Sequence, residues 1–248
     1  FKGGYYPLGG SGAFADALVE AIERRGGEVR LKSKVERILV EGDRAAGVVL
    51  GNGETIRATA VVSNADMKRT FLELVGPECL PTDFRQRIAA AEPANSAFSV
   101  HLGLDFEPDI QPATHVESPI GIGIATMSKL DPSAAPAGHS TLMLISIVPH
   151  AAAQDWFPPE GREDWKEWRR SDEYEARKQK LGDAMIEAAE TAIPDLKRHI
   201  VYRTDASPVT YARYDGASAG AIYGISRAGR LQGSKSPLRN LVIAGGGN

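Results

Sequence analysis

The first regular pattern in the chain is a run of apolar residues at helical spacing. It follows a glycine-rich start, and its apolar positions are Phe14, Leu18, Ala21 and Ile22. Steps of three and four residues place these side chains on one face of a helix. Gly26 and Gly27 provide a helix end, because glycine takes the left-handed conformation without a steric penalty. The sequence therefore predicts a helix between the two glycine clusters, followed by a strand at residues 29–31.

The next stretch has the pattern of short β-strands separated by turn residues. Strands are predicted at 35–40, 46–50 and 55–58, with turns at Gly42-Asp43 and Asn52-Gly53. Asn-Gly is a strong hairpin signal, because both central positions of a type I′ turn need a positive φ. We therefore predict a three-stranded antiparallel meander.

Polar residues end a fourth apolar run at 60–62, where the chain reads Ser63-Asn64-Ala65-Asp66. Asp66 is a suitable N-cap for a helix over 68–75, since its side chain can accept from a free amide of the first turn. Asp172-x-x-Glu175 resembles a capping box at the start of a long helix. The remaining predicted elements are helices at 81–91 and 172–193 and strands at 95–104, 120–127, 141–148, 200–204 and 241–244.

The order of these elements predicts a discontinuous layout. A helix, a meander and a short strand come first, a long mixed stretch follows, and a lone strand with glycines ends the sequence. One domain is thus interrupted by another. Residues 207–237 are glycine-rich and are predicted to form an irregular loop.

Composition narrows the class of protein. The 248 residues are 42% hydrophobic and 25% charged, with a formal net charge of -3, which is typical of one or two globular domains and gives no basic footprint for nucleic acid. The single cysteine, Cys79, rules out an internal disulfide and fits a reducing, cytoplasmic setting. No apolar run approaches the roughly 20 residues of a membrane span. The histidines lack metal-like spacing, so no metal site is expected.

Two motifs each leave two interpretations open. The cluster Gly9, Gly10 and Gly12 could bind phosphate at a helix N-terminus, or it could be a tight turn that leads into a helix. Its spacing is not GxGxxG. The aromatic residues likewise fit either an apolar or membrane-facing surface or ordinary packing; they are Trp156, Trp165, Trp168, Tyr211, Tyr214 and Tyr223.

Four segments together resemble the phytoene desaturase family of flavoproteins and its retinol-saturase-like relatives. In order they are YYPLGGSGAFADALVEAIERRGGEVRL, VERILVEGDRAAGVVLGNGETIRATAVVSNAD, YARYDGASAGAIYGI and SPLRNLVIAGGG. The resemblance implies an α/β fold of the glutathione-reductase type, with an α+β substrate domain at 66–235. This domain would be inserted in part of a Rossmann-like FAD-binding domain at 1–65 and 236–248. Family members also carry a GxGxxG segment before the first of these motifs and a helix after the last, so the chain is expected to be a fragment.

The same resemblance implies a set of cofactor-facing residues. The backbone of Val35 would pair with the FAD adenine, and the strand end at Ser63 and Asn64 would lie near the nucleotide. Glycines without side chains let backbone N–H groups approach anionic oxygens. The closing flavin loop of the family matches Gly245, Gly246 and Gly247. A turn near the flavin and the substrate cavity matches Gly9 and Gly10.

The implied activity is hydride transfer between FAD and a carbon–carbon bond of an apolar, isoprenoid-like substrate. The flavin performs the redox chemistry, and the protein supplies orientation and a dry cavity. No side chain can be named as a catalytic acid or base. By itself the chain is expected to bind FAD weakly or not at all, because the pyrophosphate-binding GxGxxG segment is missing, and to be inactive. Peripheral membrane contact is possible. The alternatives are an amine-oxidase-like flavoenzyme, which would show a buried acidic partner, and a cofactor-free binding module that kept the fold.

Overall fold

The computed structural model describes residues 5–158, 165–229 and 236–245. Within them the backbone forms two compact units. The described residues of Phe1–Arg30, Phe98–Ile147 and Gly161–Ser207 make up unit 1, and those of Leu31–Ala97, Val148–Glu160 and Pro208–Asn248 make up unit 2. The predicted cofactor and substrate domains are defined by what they bind, whereas the two units are defined by contacts along the backbone. The predicted division therefore stays a prediction.

The helices and strands follow one another along the chain as a mixed series. Its first half contains α1 (Gly10–Glu23), β1 (Val35–Glu41), β2 (Arg44–Leu50), β3 (Thr55–Arg57), β4 (Val61–Ser63), a π-helix (Arg69–Val75), α2 (Thr82–Ala90), β5 (Ser96–Leu104), β6 (Ala113–Val116) and β7 (Ile122–Ala125). Its second half contains β8 (Ser140–Val148), α3 (His150–Ala153), α4 (Trp165–Trp168), α5 (Asp172–Ala189), β9 (Ile200–Ala206), α6 (Pro208–Asp215) and β10 (Leu241–Ile243).

The meander of unit 2 is confirmed as an antiparallel sheet in the order β1-β2-β3. Its two turns contain Gly42 at φ 60° and Gly53 at φ 85°, the positive values that favour glycine. Inside β2, Gly47 has φ 146° and lies opposite Arg57 of β3. The register between β1 and β2 shifts close to this point, between Leu39 and Val40.

A parallel pair, β4 and β10, completes the strands of unit 2, with Leu241 opposite Val61 and Ile243 opposite Ser63. One side of this pair is buried in the hydrophobic core of the unit. The aromatic centre of that core is an edge-to-face contact between Phe71 of the π-helix and Phe84 of α2, with ring centroids 4.8 Å apart. This core fixes the two short parallel strands side by side.

Unit 1 contains a five-stranded sheet in the order β6-β7-β8-β5-β9. Burial alternates along β8, which is the period of two expected for a sheet with only one side covered. Helix α5 packs against β7 and β9, and it buries Met185, Ile186 and Ala189. The sheet side away from α5 is consequently less buried.

Four details differ from the sequence-based expectations. The strand predicted at 29–31 is wrong: residues 27–30 are irregular, and Leu31 is 82% exposed in a turn. The cap of α5 is Ser171, whose hydroxyl accepts from the Tyr174 amide at 3.2 Å, and not Asp172. The four-residue strand β6 was not predicted. Helix α6 lies in the predicted loop, where Pro208 suits a first helical turn and Val209 is buried.

Helix α1 is confirmed, but it contains no buried residue. Its apolar positions Phe14, Leu18 and Ile22 are 63%, 50% and 45% exposed. The packing interpretation is correct for Trp156 and Trp168, which are both buried, whereas the side chain of Trp165 lies outside the described residues. None of the helices in the described ranges is long and apolar enough to cross a membrane.

Candidate functional site

The carboxyl ends of the parallel strands β4 and β10 lie side by side in unit 2. The Ala244 amide donates to the Ser63 carbonyl at 2.8 Å, which extends the pairing to the last residue of β4. Ligands of open α/β sheets bind outside the carboxyl ends of parallel strands. We call Ser63, Asn64 and Gly245 at this point the β4–β10 edge. Three of the residues predicted to face the cofactor are therefore brought together by a pairing of distant segments.

Gly245 in this edge adopts a conformation and a position that favour glycine. Its φ is 105°, and a Cβ atom on it would lie 2.1 Å from Oδ1 of Asn64. A side chain at residue 245 would therefore strain the backbone and displace the amide group of Asn64. Asn64 and Gly245 are both exposed, so the backbone here is open to a ligand. The neighbouring Gly246 and Gly247 lie outside the described residues.

A hydrogen-bond network fixes the chain just after β4. The Asp66 carboxylate accepts from the Arg69 amide at 3.1 Å, which confirms its predicted role at the helix start. It also accepts from the amide and the hydroxyl of Ser218 at 3.0 and 2.8 Å. Behind it, the buried Ser63 and Thr70 hydroxyls are 2.8 Å apart. The sequence showed the cap but not the bond to Ser218, because 152 residues separate these partners.

Val35 is the first residue of β1 and pairs with Leu50 of β2. It is half-buried. The role predicted for it, pairing with the FAD adenine, involves only its backbone. The Gly51 amide donates to the carbonyl of the preceding residue, Lys34, at 2.8 Å. Val35 therefore stands at the start of a well-paired strand in unit 2.

Gly9 and Gly10 lie in unit 1, at the start of α1, with φ values of 81° and 73°. The Gly9 amide donates to Oδ2 of Asp131 at 2.6 Å, and the Gly10 amide donates to the Pro7 carbonyl at 3.0 Å. Hydrogen bonds from the Ser133 hydroxyl, the Gly9 amide and the Ser133 amide hold the pKa of Asp131 below its usual value of 3.8. The Gly9 amide, which a phosphate-loop interpretation would assign to a ligand, is therefore already hydrogen-bonded to a carboxylate of the same unit.

The sheet side of unit 1 that faces away from α5 is largely apolar, and we call it the open sheet face. Strand register places Gly123 opposite Ile145, Ala125 opposite Met143, Gly103 opposite Tyr202 and His101 opposite Thr204. Further along β8, Ile147 is 52% exposed. None of these side chains is acidic. Sequence reasoning found the strands but did not identify this face, although their alternation carried the signal.

Two polar residues of β5 share this face. Ser99 and His101 are two positions apart on the strand, and the Ser99 hydroxyl is 3.0 Å from Nε2 of His101. Desolvation lowers the pKa of His101 below its usual value of 6.5, against the opposite influence of the Asp205 carboxylate. The imidazole is therefore neutral at pH 7. Over the ranges that the structure describes, no cluster of three potential metal ligands occurs.

The parallel pair with its open carboxyl edge, the meander and the half-covered antiparallel sheet define an α/β protein of the flavoprotein type. Solved structures agree with this class. An oxidoreductase from Methanosarcina mazei has a TM-score of 0.66 at 17% identity and matches 97% of this chain and 50% of its own. A putrescine oxidase variant has a TM-score of 0.60 at 12% identity over 96% of this chain and 47% of its own. These likenesses concern the fold alone.

A family model described as flavin containing amine oxidoreductase matches residues 1–246, and the chain belongs to this family. The resemblance stated from the sequence is thereby confirmed. Prolycopene isomerase from Daucus carota is 30% identical over 92% of this chain and 37% of its own length. A 4,4'-diapophytoene desaturase from Methylomonas sp is 25% identical over 98% of this chain and 49% of its own. All-trans-retinol 13,14-reductase from Danio rerio is 26% identical over 98% and 46%. The chain thus spans between about a third and a half of the length of these relatives.

Proposed function

We propose that this protein is an FAD-dependent oxidoreductase that transfers hydride between the flavin and a carbon–carbon bond of an apolar, isoprenoid-like substrate. The observation that carries the proposal is the β4–β10 edge, where the exposed Gly245 has a φ of 105° and lies beside the side chain of Asn64. The chain that contains this edge belongs to a family of flavin-containing oxidoreductases. Its backbone has the open carboxyl ends at which α/β folds bind nucleotides.

The residues present fit a bound dinucleotide in unit 2. Ser63, Asn64 and Gly245 would meet it at the strand ends. Backbone groups near Val35 would meet the adenine without requiring a particular side chain. When bound, FAD supplies the hydride acceptor or donor, while the protein orients the reactants and excludes water.

Gly9 and Gly10 would contribute differently. Both amides already have acceptors within unit 1, so these glycines would allow close approach of a ligand to the backbone rather than donate free N–H groups. The proposed role of this turn is therefore steric. A substitution at either residue would act through its side-chain volume and the positive φ.

The open sheet face supports an apolar substrate. Binding sites for such molecules are mostly hydrophobic, with a few placed polar groups. Met143, Ile145 and Ile147 provide that character on β8. Among the described side chains that strand register places on this face, none is a carboxylate that could pair with an amine. The names of the relatives, among them a prolycopene isomerase and a retinol reductase, agree with an isoprenoid-like substrate. An amine substrate is therefore the less supported alternative.

An FAD titration followed by amide NMR tests the cofactor part of the proposal. We expect weak binding that shifts the signals of Val35, Ser63, Asn64 and Gly245 and leaves Gly138, in an open turn of unit 1, unchanged. Asn64→Ala should weaken the response several-fold. The matched Asn52→Ala change, in the hairpin turn of unit 2, should leave the affinity unaltered. Saturating FAD without any shift at these four residues would favour a cofactor-free binding module instead.

A further inference from the structure

Ser99 and His101 form a hydrogen-bonded polar pair in a face that is otherwise suited to an apolar molecule. The Ser99 hydroxyl is 3.0 Å from the Nε2 atom of His101, and Ser99 itself is only 1% exposed. Strand pairing places Gly103 and Tyr202 in the next position along the same face. The buried serine holds the ring of the exposed histidine in one orientation.

The histidine keeps one polar atom for a ligand. Its Nε2 atom is engaged by Ser99, and within the described part of the chain its Nδ1 atom has no hydrogen-bond partner. A neutral imidazole presents either an N–H donor or a lone pair at that atom. It matches a neutral oxygen, which needs no counter-charge, better than it matches a carboxylate or an ammonium group.

We propose that the Ser99–His101 pair binds one hydroxyl or carbonyl oxygen of an otherwise apolar, isoprenoid-like molecule that lies on the open sheet face. This inference rests on the proposed function and adds a specificity determinant to it. The hydrocarbon part of the ligand contacts Met143, Ile145 and Ile147 of β8. The oxygen of the ligand accepts a hydrogen bond from His101 or donates one to it. A polar group that is left unpaired when a pure hydrocarbon binds disfavours that ligand.

A matched pair of probes tests this assignment. Farnesol and the hydrocarbon farnesane share their carbon skeleton and differ in the hydroxyl group and the double bonds, and both can be titrated against Nile red bound to the full chain. We expect farnesol to bind about tenfold more tightly, the equivalent of roughly 1.4 kcal/mol for one hydrogen bond. His101→Leu should reduce this preference to less than about twofold while farnesane binds unchanged or better.

Two further variants separate a lost hydrogen bond from a damaged fold. His101→Gln retains a donor and an acceptor, so it should keep part of the preference for farnesol. His139→Leu changes an exposed histidine of unit 1 whose Nδ1 atom lies 3.2 Å from the Ala137 carbonyl oxygen, and it should leave both affinities unchanged. Circular dichroism of each variant verifies that the sheet is intact.

The outcomes distinguish the two levels of the proposal. If both probes bind equally to the wild type, and His101→Leu alters neither, the polar pair does not select an oxygen, although the apolar surface stands. If neither probe displaces Nile red from any variant, the apolar-substrate part of the proposed function fails. Preference for farnesol that survives in His101→Leu would place the oxygen elsewhere and overturn the assignment.

Discussion

Replacing Gly47 with alanine is expected to disrupt the meander that carries Val35. A Cβ atom at this position would lie 2.2 Å from the Ile56 carbonyl oxygen and 3.0 Å from the Arg57 Cα atom. The first distance is about 1 Å shorter than an ordinary carbon–oxygen contact of roughly 3.3 Å. Both obstacles are backbone atoms of β3, so the strand itself has to move.

The magnitude follows from two contributions. The φ of 146° lies in a region that residues with a Cβ rarely adopt, which costs of the order of 1–3 kcal/mol. Overpacking against a paired strand adds about 1–3 kcal/mol. We therefore expect Gly47→Ala to lower the free energy of unfolding of unit 2 by about 2–6 kcal/mol.

Two turn glycines of the same sheet provide matched controls. Gly42 and Gly53 also have positive φ, at 60° and 85°, but a Cβ on either would meet no atom within 4 Å. Alanine at these positions therefore adds backbone strain alone, about 1 kcal/mol. The comparison isolates the steric contact in β2 from the conformational cost.

Urea unfolding followed by circular dichroism measures the difference. With a slope near 3 kcal/mol per molar urea, Gly47→Ala should lower the midpoint by roughly 0.7–2 M and the controls by roughly 0.3 M. The FAD-induced shift at the Val35 amide should also disappear in Gly47→Ala. Equal midpoints for all three variants would show that the contact with β3 does not limit stability and would refute the reasoning.

Three other substitutions test contacts that only the structure revealed. Asp66→Ala removes a helix cap and two hydrogen bonds to Ser218, so urea unfolding should show a loss of about 2–3 kcal/mol in the free energy of unfolding. Ser218→Ala should lose only about 1 kcal/mol. Equal losses in the two variants would contradict the network. Gly182→Ala should destabilise α5 in thermal unfolding, because its Cβ would lie 2.2 Å from the Arg203 guanidinium, which would have to leave its ion pairs with Asp183 and Asp205. A gain in stability, which the better helix propensity of alanine alone would give, would disprove this. The pKa of Asp131 is lowered by folding from its usual value of 3.8, so its carboxylate stabilises the protein above that pH and loses this effect as the pH falls through the folded value. The stability advantage of the wild type over Asp131→Asn should accordingly be present at pH 7 and shrink below pH 4 in parallel urea titrations, whereas a constant difference would oppose the assignment.

Local patterns in the sequence were sufficient for most of the elements. The helix from Gly10, the meander and the strands β5, β7, β8 and β9 follow from spacing and turn residues, because these signals act within a few positions of the chain. Elements with weak local signals were missed. The four residues of β6 are too few to show a period, and the glycines after α6 concealed an eight-residue helix.

The contacts that form the candidate site required the tertiary structure. The sequence indicated the strand end at Asn64 and the final glycines through a family resemblance, but it did not show that the side chain of Asn64 lies against Gly245. Asp131 and Gly9 are 122 positions apart, and their bond converts a possible anion site into an internal contact. Such partners meet only through strand order and packing, which local periodicity does not encode.

The sequence by itself thus determined the class of protein and the residue types at the strand ends. The tertiary structure decided which of them meet, which amides are already bonded and which side of the sheet is open. The alternation of side chains along β5 by itself places Ser99 and His101 on the same side of the sheet. The position of α5 on the opposite side left His101 of that pair exposed to a ligand, because one packed helix covers one side of a sheet.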